Sequence, residues 1–293
     1  MEQIILSALT EGIFWSVIAI GLYISFRILN MADMTTEGSF PLGAAISVVC
    51  IVNNIHPLLA LLASFFFGLL AGGVTGILMT RLKIPSLLAG ILTMSALYSI
   101  NLKVMQRPNV NVLGKKTLIQ YLTQHQSLLP YATLWLGFVT VALILLALYF
   151  FFQTELGQGL IAAGDNPQMA LSQGIPVDRM KIFGVMLANG IIALGGGLMA
   201  QKSSFADVNM GIGVIVVALA SIIIGDVLFP YVTFGVRLVC IVIGSIVYRF
   251  LLALIIALQV IDANDFKLFS AAIIALCLAL PVIRKEFEKK GGH

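Results

Sequence analysis

From Pro57 to Thr80 the chain reads "PLLALLASFFFGLLAGGVTGILMT", without one charged side chain. A helix of that length crosses a hydrocarbon core of about 30 Å. Comparable blocks recur at roughly Ile4–Ile28, Gly38–Val52, Pro85–Leu102, Leu129–Phe152, Ile182–Ala200, Gly211–Leu228, Tyr231–Leu258 and Leu268–Ile283. Across all 293 residues the mean hydropathy is +1.05, well above that of soluble domains. The blocks are continuous, whereas a membrane β-barrel would alternate in segments of about ten residues. Helices are then the way to satisfy the backbone in lipid. The expected fold is all-α: a polytopic membrane protein of about 8–10 transmembrane helices, one transmembrane domain over residues 1–293.

The first block is too long for a cleavable signal and lacks a basic start and a small-residue cleavage site, so it reads as a first span. Cys50, Cys240 and Cys277 fall inside apolar blocks and read as small buried hydrophobes. The net charge of +4 points to membrane orientation rather than to nucleic acid. Basic residues cluster in "TRLKIP" (Arg81, Lys83), at Arg179 and Lys181, and in the tail at Arg284, Lys285, Lys289 and Lys290. Placing all three clusters in the cytoplasm needs even numbers of crossings between them, which the blocks allow. It also puts "NLKVMQRPNVNVLGKKTLIQ", with four basic residues, outside. The N-terminus then lies outside too, unless an early block is split or re-entrant.

Catalytic and metal-binding patterns are missing. His56, His125 and His293 share no motif, and there is no HExxH, CxxC or GxSxG. "LGKKT" at Leu113–Thr117 imitates a phosphate loop, but Asn109 stands where its first glycine belongs and Lys116 where Ser or Thr belongs. The chain reads as neither an enzyme nor a cofactor-binding protein; any ATP would be used by a separate subunit. Glycines crowd "GLLAGGVTG" (Gly68, Gly72, Gly73, Gly76) and "ANGIIALGGG" (Gly190, Gly195, Gly196, Gly197), either for close helix packing or, in the last run, for a hinge. Charges near apolar blocks are few. Asp33 and Glu37 in "NMADMTTEGSF" and Asp226 in "IIIGDVLFP" sit at span ends, or line a polar path or fix a discontinuous helix; Met34, Thr35 and Thr36 share the first motif. Arg237 and Arg249 snorkel in the block that follows.

One polar stretch, Gln153–Lys181, interrupts the middle of the chain. Asp165 and Asn166 are good N-caps, Pro167 suits a first helical turn, Gly174 suits a left-handed stop, and Pro176 prevents continuation. "PQMALSQ" should form a two-turn helix exposing Met169, Ala170 and Leu171, with Asp178 capping the next membrane helix. So short a helix must dock, either on its own bundle or in a partner's groove.

"TELGQGLIAAGDNPQMALSQGI" resembles the coupling loop of permease subunits of ABC importers, in the family that includes the ribose and branched-chain amino-acid permeases. Thr154, Leu156, Gly157, Ala162, Gly164, Asn166, Ala170, Gly174 and Ile175 occupy that pattern's positions. "GVTGILMTRLKIPSLLAGILTM" is similar to the family's small-residue span, basic turn and following span, and "ALASIIIGD" to its later apolar segment ending in a glycine pair, with Asp226 replacing the second glycine. "NMADMTTEGSF" resembles its early polar motif, but Thr36 and Glu37 depart from the sugar-permease form, which argues against a sugar.

The resemblance implies a type II importer permease: two such subunits, identical in the simplest case, lining a pathway in a bacterial cell membrane. Residues about 153–181 would be the coupling loop, with Gly164, Asp165, Asn166, Pro167, Met169, Ala170, Leu171 and Gly174 at an ABC ATPase subunit. Asp33, Met34, Thr35, Thr36, Glu37 and Asp226 are the candidate pathway residues. An extracytoplasmic substrate-binding protein, often a lipoprotein, would deliver the solute, an amino acid and in the first instance an aromatic one. Membrane lipid is the remaining partner. The competing reading, an ion-gradient-driven secondary transporter, predicts paired ionisable groups near the bilayer midplane and two symmetric halves. Neither is evident, and clustered Asp, His or Ser for an intramembrane enzyme is missing as well.

Overall fold

The computed structural model describes residues 2–112, 114–122 and 129–257, with the isolated positions 272 and 275. Apart from those two positions, the last apolar block Leu268–Ile283 lies outside the described residues. Cys277, His125, His293 and the basic tail lie outside them too.

Helix α1 (Glu2–Tyr23) runs on through a π-helical turn, Ile24–Ile28. It is followed by α2 (Thr36–Val52), α3 (Pro57–Thr80) and α4 (Ser86–Met105). A short α5 (Leu118–Leu122) precedes α6 (Leu129–Gln153), α7 (Glu155–Asp165) and α8 (Pro167–Ser172). Then come α9 (Val177–Ser203), α10 (Val214–Leu228) and α11 (Phe234–Ala257). Two three-residue strands, β1 (Asn109–Asn111) and β2 (Phe205–Asp207), pair antiparallel. Among the described residues seven helical stretches are long and apolar enough to cross a membrane, and α2 is a shorter apolar helix.

The bundle is built around α9, which packs on α1, α2 and α3. Its glycine run shows how. Successive helical residues point about 100° apart. Gly195 meets Val17 and Ile18 of α1, Gly196 the Phe40 carbonyl of α2, and Gly197 Ser64 of α3. Small residues there let three backbones close on one helix. α9 stays helical through the run, as expected of packing glycines rather than a hinge.

α3 runs antiparallel to α9: Gln201 Nε2 donates to the Pro57 carbonyl at 3.0 Å at one end, while Gly76 packs on Ile182 near the other. One face of the bundle, the loop face, therefore gathers α7, α8, Arg81, Lys83 and the π-helical end of α1. The opposite, far face holds the β-ribbon and the Glu11–Lys202 ion pair. α2 accounts for the parity. Beyond Ile28 the chain returns without regular structure to Asp33, which bonds Asn189 in the middle of α9, and only there does α2 begin. The early block is thus a discontinuous crossing, and the N-terminal end of α1 lies on the far face. Among the described residues the loop face carries Arg27, Arg81, Lys83, Arg179, Lys181 and Arg237; the far half carries equally many, Lys103, Arg107, Lys115, Lys116, Lys202 and Arg249. Among the described residues the basic charges therefore favour neither face.

Candidate functional site

The central loop folds as its caps dictate. Asn166 Oδ1 accepts from Met169 N at 3.0 Å, Pro167 fills the first turn, and Gly174 turns the chain at φ +80°. Asp165 is the last residue of α7 and leaves the capping to Asn166. Two further expectations need correction. Ala170 is only 2% exposed, because it packs with Ala163 and Val177 and seats α8 on the bundle. Gly164 is also buried: a Cβ there would collide with the Ile28 carbonyl, and Asn30 Nδ2 donates to its own carbonyl at 3.3 Å. It fastens α7 to the end of α1 rather than meeting a partner.

With Ala170 inward, helical geometry places Met169 and Leu171 on the two flanks and Gln168 and Ser172 on top. Met169 is 57% and Leu171 60% exposed. Asp178 does not cap α9, whose N-cap is Pro176; it stands in the first turn and shares a cavity of about 340 Å³ with Lys83 and Lys181. Replacing Asn166 by Ala is expected to destabilise α8 by about 1 kcal/mol, since Met169 N–H loses its acceptor. Faster backbone hydrogen exchange confined to 166–174 would report it.

The second site is the broken start of α2. Asp33 is 4% exposed and accepts from Asn189 Nδ2 at 2.7 Å and from Thr35 N at 2.9 Å. Ser39 donates to Asn189 Oδ1 at 2.6 Å. Thr35 and Thr75 share a hydroxyl bond of 2.8 Å, and Thr75 donates to Thr93 at 2.9 Å. Thr36 hydroxyl donates to the Asp33 carbonyl at 3.2 Å. The bonds of Asp33, Thr35 and Thr36 hold an irregular backbone inside the bundle, where lipid could not. Met34 abuts Gly90 of α4, half-buried. Of the six pathway candidates, Glu37 lines a cavity between α2, α4 and the turn after β2.

Asp226 does not join them. It lies on the loop face between Arg27 (3.9 Å) and Arg237 (3.6 Å), tying the ends of α1, α10 and α11 together. Arg249 stacks its guanidinium 4.2 Å from the Trp15 ring centroid. The sequence reading missed Asn189, Ser39, Thr75, Thr93, Tyr98 and Asn101. Their signal was a polar residue inside an apolar block, which is where such groups must find each other.

The family model described as "Branched-chain amino acid transport system / permease component" matches residues 4–278. The "Tyrosine transport system permease protein" of Clostridioides difficile is 42% identical over 275 residues, covering 94% of this chain and 90% of its own. An "Autoinducer 2 import system permease protein" of Salmonella typhi is 28% identical over 168 residues, 57% of this chain and 47% of its own. Among solved structures, "PsaBC from Streptococcus pneumoniae in complex with Fab" superposes with a TM-score of 0.51 at 15% identity, covering 94% of this chain and 90% of that one, a likeness of fold. These relatives are transport permeases and not enzymes. The seven apolar helices and the extent of the match make this chain a multi-pass plasma-membrane protein of the family of branched-chain amino-acid transport system permease components.

Proposed function

We propose that this chain is the permease subunit of an ATP-driven ABC importer for an amino acid, aromatic in the first instance. The observation that carries the reading is α8: a capped, separately terminated helix seated by Ala170, offering Met169 and Leu171 to a neighbour on the loop face. A groove in a cytoplasmic ATPase subunit is the occupant that fits, since closing that subunit's dimer would push the helix and, through Gly164 on Ile28, the end of α1. The loop face is then cytoplasmic and the β-ribbon side faces an extracytoplasmic binding protein.

A second copy of the chain completes the pathway. Glu37 pairs with no Lys or Arg among the described residues, and its cavity shares a surface with exposed Tyr98 and Ile212. A lone carboxylate facing hydrocarbon is costly, so that surface belongs on an aqueous path between subunits. The tyrosine transport permease supports an amino-acid solute over the autoinducer importer, because its likeness is greater and spans nearly the whole chain.

Reconstitution tests the reading: proteoliposomes with this chain, its ATPase and its binding protein, ATP inside and radiolabelled L-tyrosine outside. Uptake is expected only when all three proteins and ATP are present. Uptake driven by an ion gradient without the ATPase would overturn it in favour of a secondary transporter. Uptake of a sugar with no amino acid competing would overturn the solute class.

A further inference from the structure

The cavity beside Glu37, about 320 Å³, is walled by α2, α4 and the 208–213 turn. Its volume falls in the range of small-molecule sites, about 300–1,000 Å³. Two of its polar groups, Asn101 and Glu37, bring acceptors to the same wall. Asn101 is fully buried; its amide nitrogen donates to the Gly38 carbonyl at 3.3 Å, which fixes the orientation of the amide. The amide oxygen, Oδ1, is then left buried without a partner. Such an acceptor is expensive to leave empty. Glu37 receives one bond, from Gly213 N to Oε1 at 3.0 Å, and has no basic partner among the described residues.

At Glu37 and Asn101 the wall holds one negative charge and one surplus acceptor, and the charged group that complements them is a positively charged donor. A metal ion is a poor match, since no group of three His, Cys, Asp or Glu side chains is assembled among the described residues. The rest of the lining is apolar or aromatic at Pro41, Met94, Tyr98, Val208 and Ile212, with two neutral polar side chains, Ser95 and Asn209. A cation with several N–H donors on one end and an apolar body on the other fits both halves.

We propose that this cavity holds the ammonium group of the solute during passage, with Glu37 as its charge partner, Asn101 Oδ1 as a second acceptor, and Tyr98 and Met94 against the side chain. The assignment rests on the amino-acid reading above and adds a rule to it: the amine, not the carboxylate, is what the membrane subunit recognises. Both Glu37 and Asn101 reach the cavity from the half of the bundle nearer the far face, where the solute would enter.

The test uses the full chain in nanodiscs, with Cys50, Cys240 and Cys277 changed to Ala and a thiol placed in the cavity wall by Ser95→Cys. A cationic thiosulfonate reagent is expected to modify that thiol about tenfold faster than an anionic one, and Glu37→Gln to erase the difference. L-tyrosine and tyramine, which carry the ammonium, should slow modification severalfold, while 4-hydroxyphenylpropionate, which lacks it, should not. Glu37→Gln keeps the acceptor for Gly213 N–H, so its fold is preserved; Asn101→Leu is the second variant and should weaken protection. Protection by 4-hydroxyphenylpropionate, protection that survives Glu37→Gln, or no protection by either amine would overturn the proposal. Pull-down of the ATPase by the same preparations separates the two readings: retained association with no amine protection sinks the subsite and leaves the importer standing.

Discussion

A chain carrying Met169→Asp and Leu171→Asp is expected to insert and fold normally yet lose its ATPase subunit. Both side chains are more than half exposed, so the bundle does not depend on them, and Ala170, which seats the helix, is untouched. Enclosing a Met or Leu fully in an apolar groove is worth about 1.5–3 kcal/mol each. Since the two lie on opposite flanks of α8, a groove must grip the helix from both sides to use both. Replacing them with carboxylates removes that burial and adds charges to be desolvated. The combined loss, about 3–5 kcal/mol, corresponds to a fall in affinity of about two to three and a half orders of magnitude. Co-purification from native membranes should go from stoichiometric to undetectable, and each single variant should fall between. Gln173→Asp, exposed just beyond the helix, is the control for added charge and should retain the ATPase. A double variant that still brings the ATPase down would mean that α8 packs only on its own bundle.

Much of this was legible because lipid is a demanding solvent. The apolar blocks give the spans to within a few residues: Pro57–Thr80 is helical from end to end, and Leu129–Phe152 ends one residue short of the observed α6. The α8 boundaries follow from cap chemistry local to six or eight residues, as Asn166 and Gly174 illustrate. What was not legible depends on depth and on distant neighbours. Ala170 was expected outside because periodicity in so short a helix cannot say which side touches Ala163 and Val177. Asp226 was grouped with Asp33 and Glu37 by its chemistry, but a carboxylate two residues before the end of α10 meets the arginines of two other helix ends. Gly38–Val52 reads as an apolar block beside a polar motif that leaves a split or re-entrant early crossing open, and nothing local reveals that the start of the helix hangs from a residue 156 positions away.

That attachment carries the largest stability effect expected here. Asp33→Leu would orphan the buried Thr35 N–H and leave Asn189 Nδ2 with only its bond to the Val185 carbonyl, each lost bond costing about 1–3 kcal/mol. Asn189→Leu would strip one oxygen of the buried Asp33 carboxylate of its donor, leaving it the Thr35 N–H, while the Ser39 hydroxyl keeps the Thr35 carbonyl as an acceptor. Either single variant should lower the thermal midpoint in detergent markedly and cut the folded yield. Because the two side chains share one bond, the double variant should be no worse than the more damaging single one. Asp33→Asn separates anchoring from proton traffic. An amide can still accept from Thr35 N–H through its oxygen but turns a second donor toward Asn189, so a structural peg predicts a partial loss in stability and in uptake together. A relay predicts a different split, with the folded protein intact and transport abolished, since an amide cannot carry the proton. The hydrogen bonds around Asp33 all run to backbone or to neutral side chains that pin α2, and no second ionisable group lies among them. The expected result is therefore the parallel loss, with the carboxylate acting as the hook from which a half-length helix hangs inside the bundle.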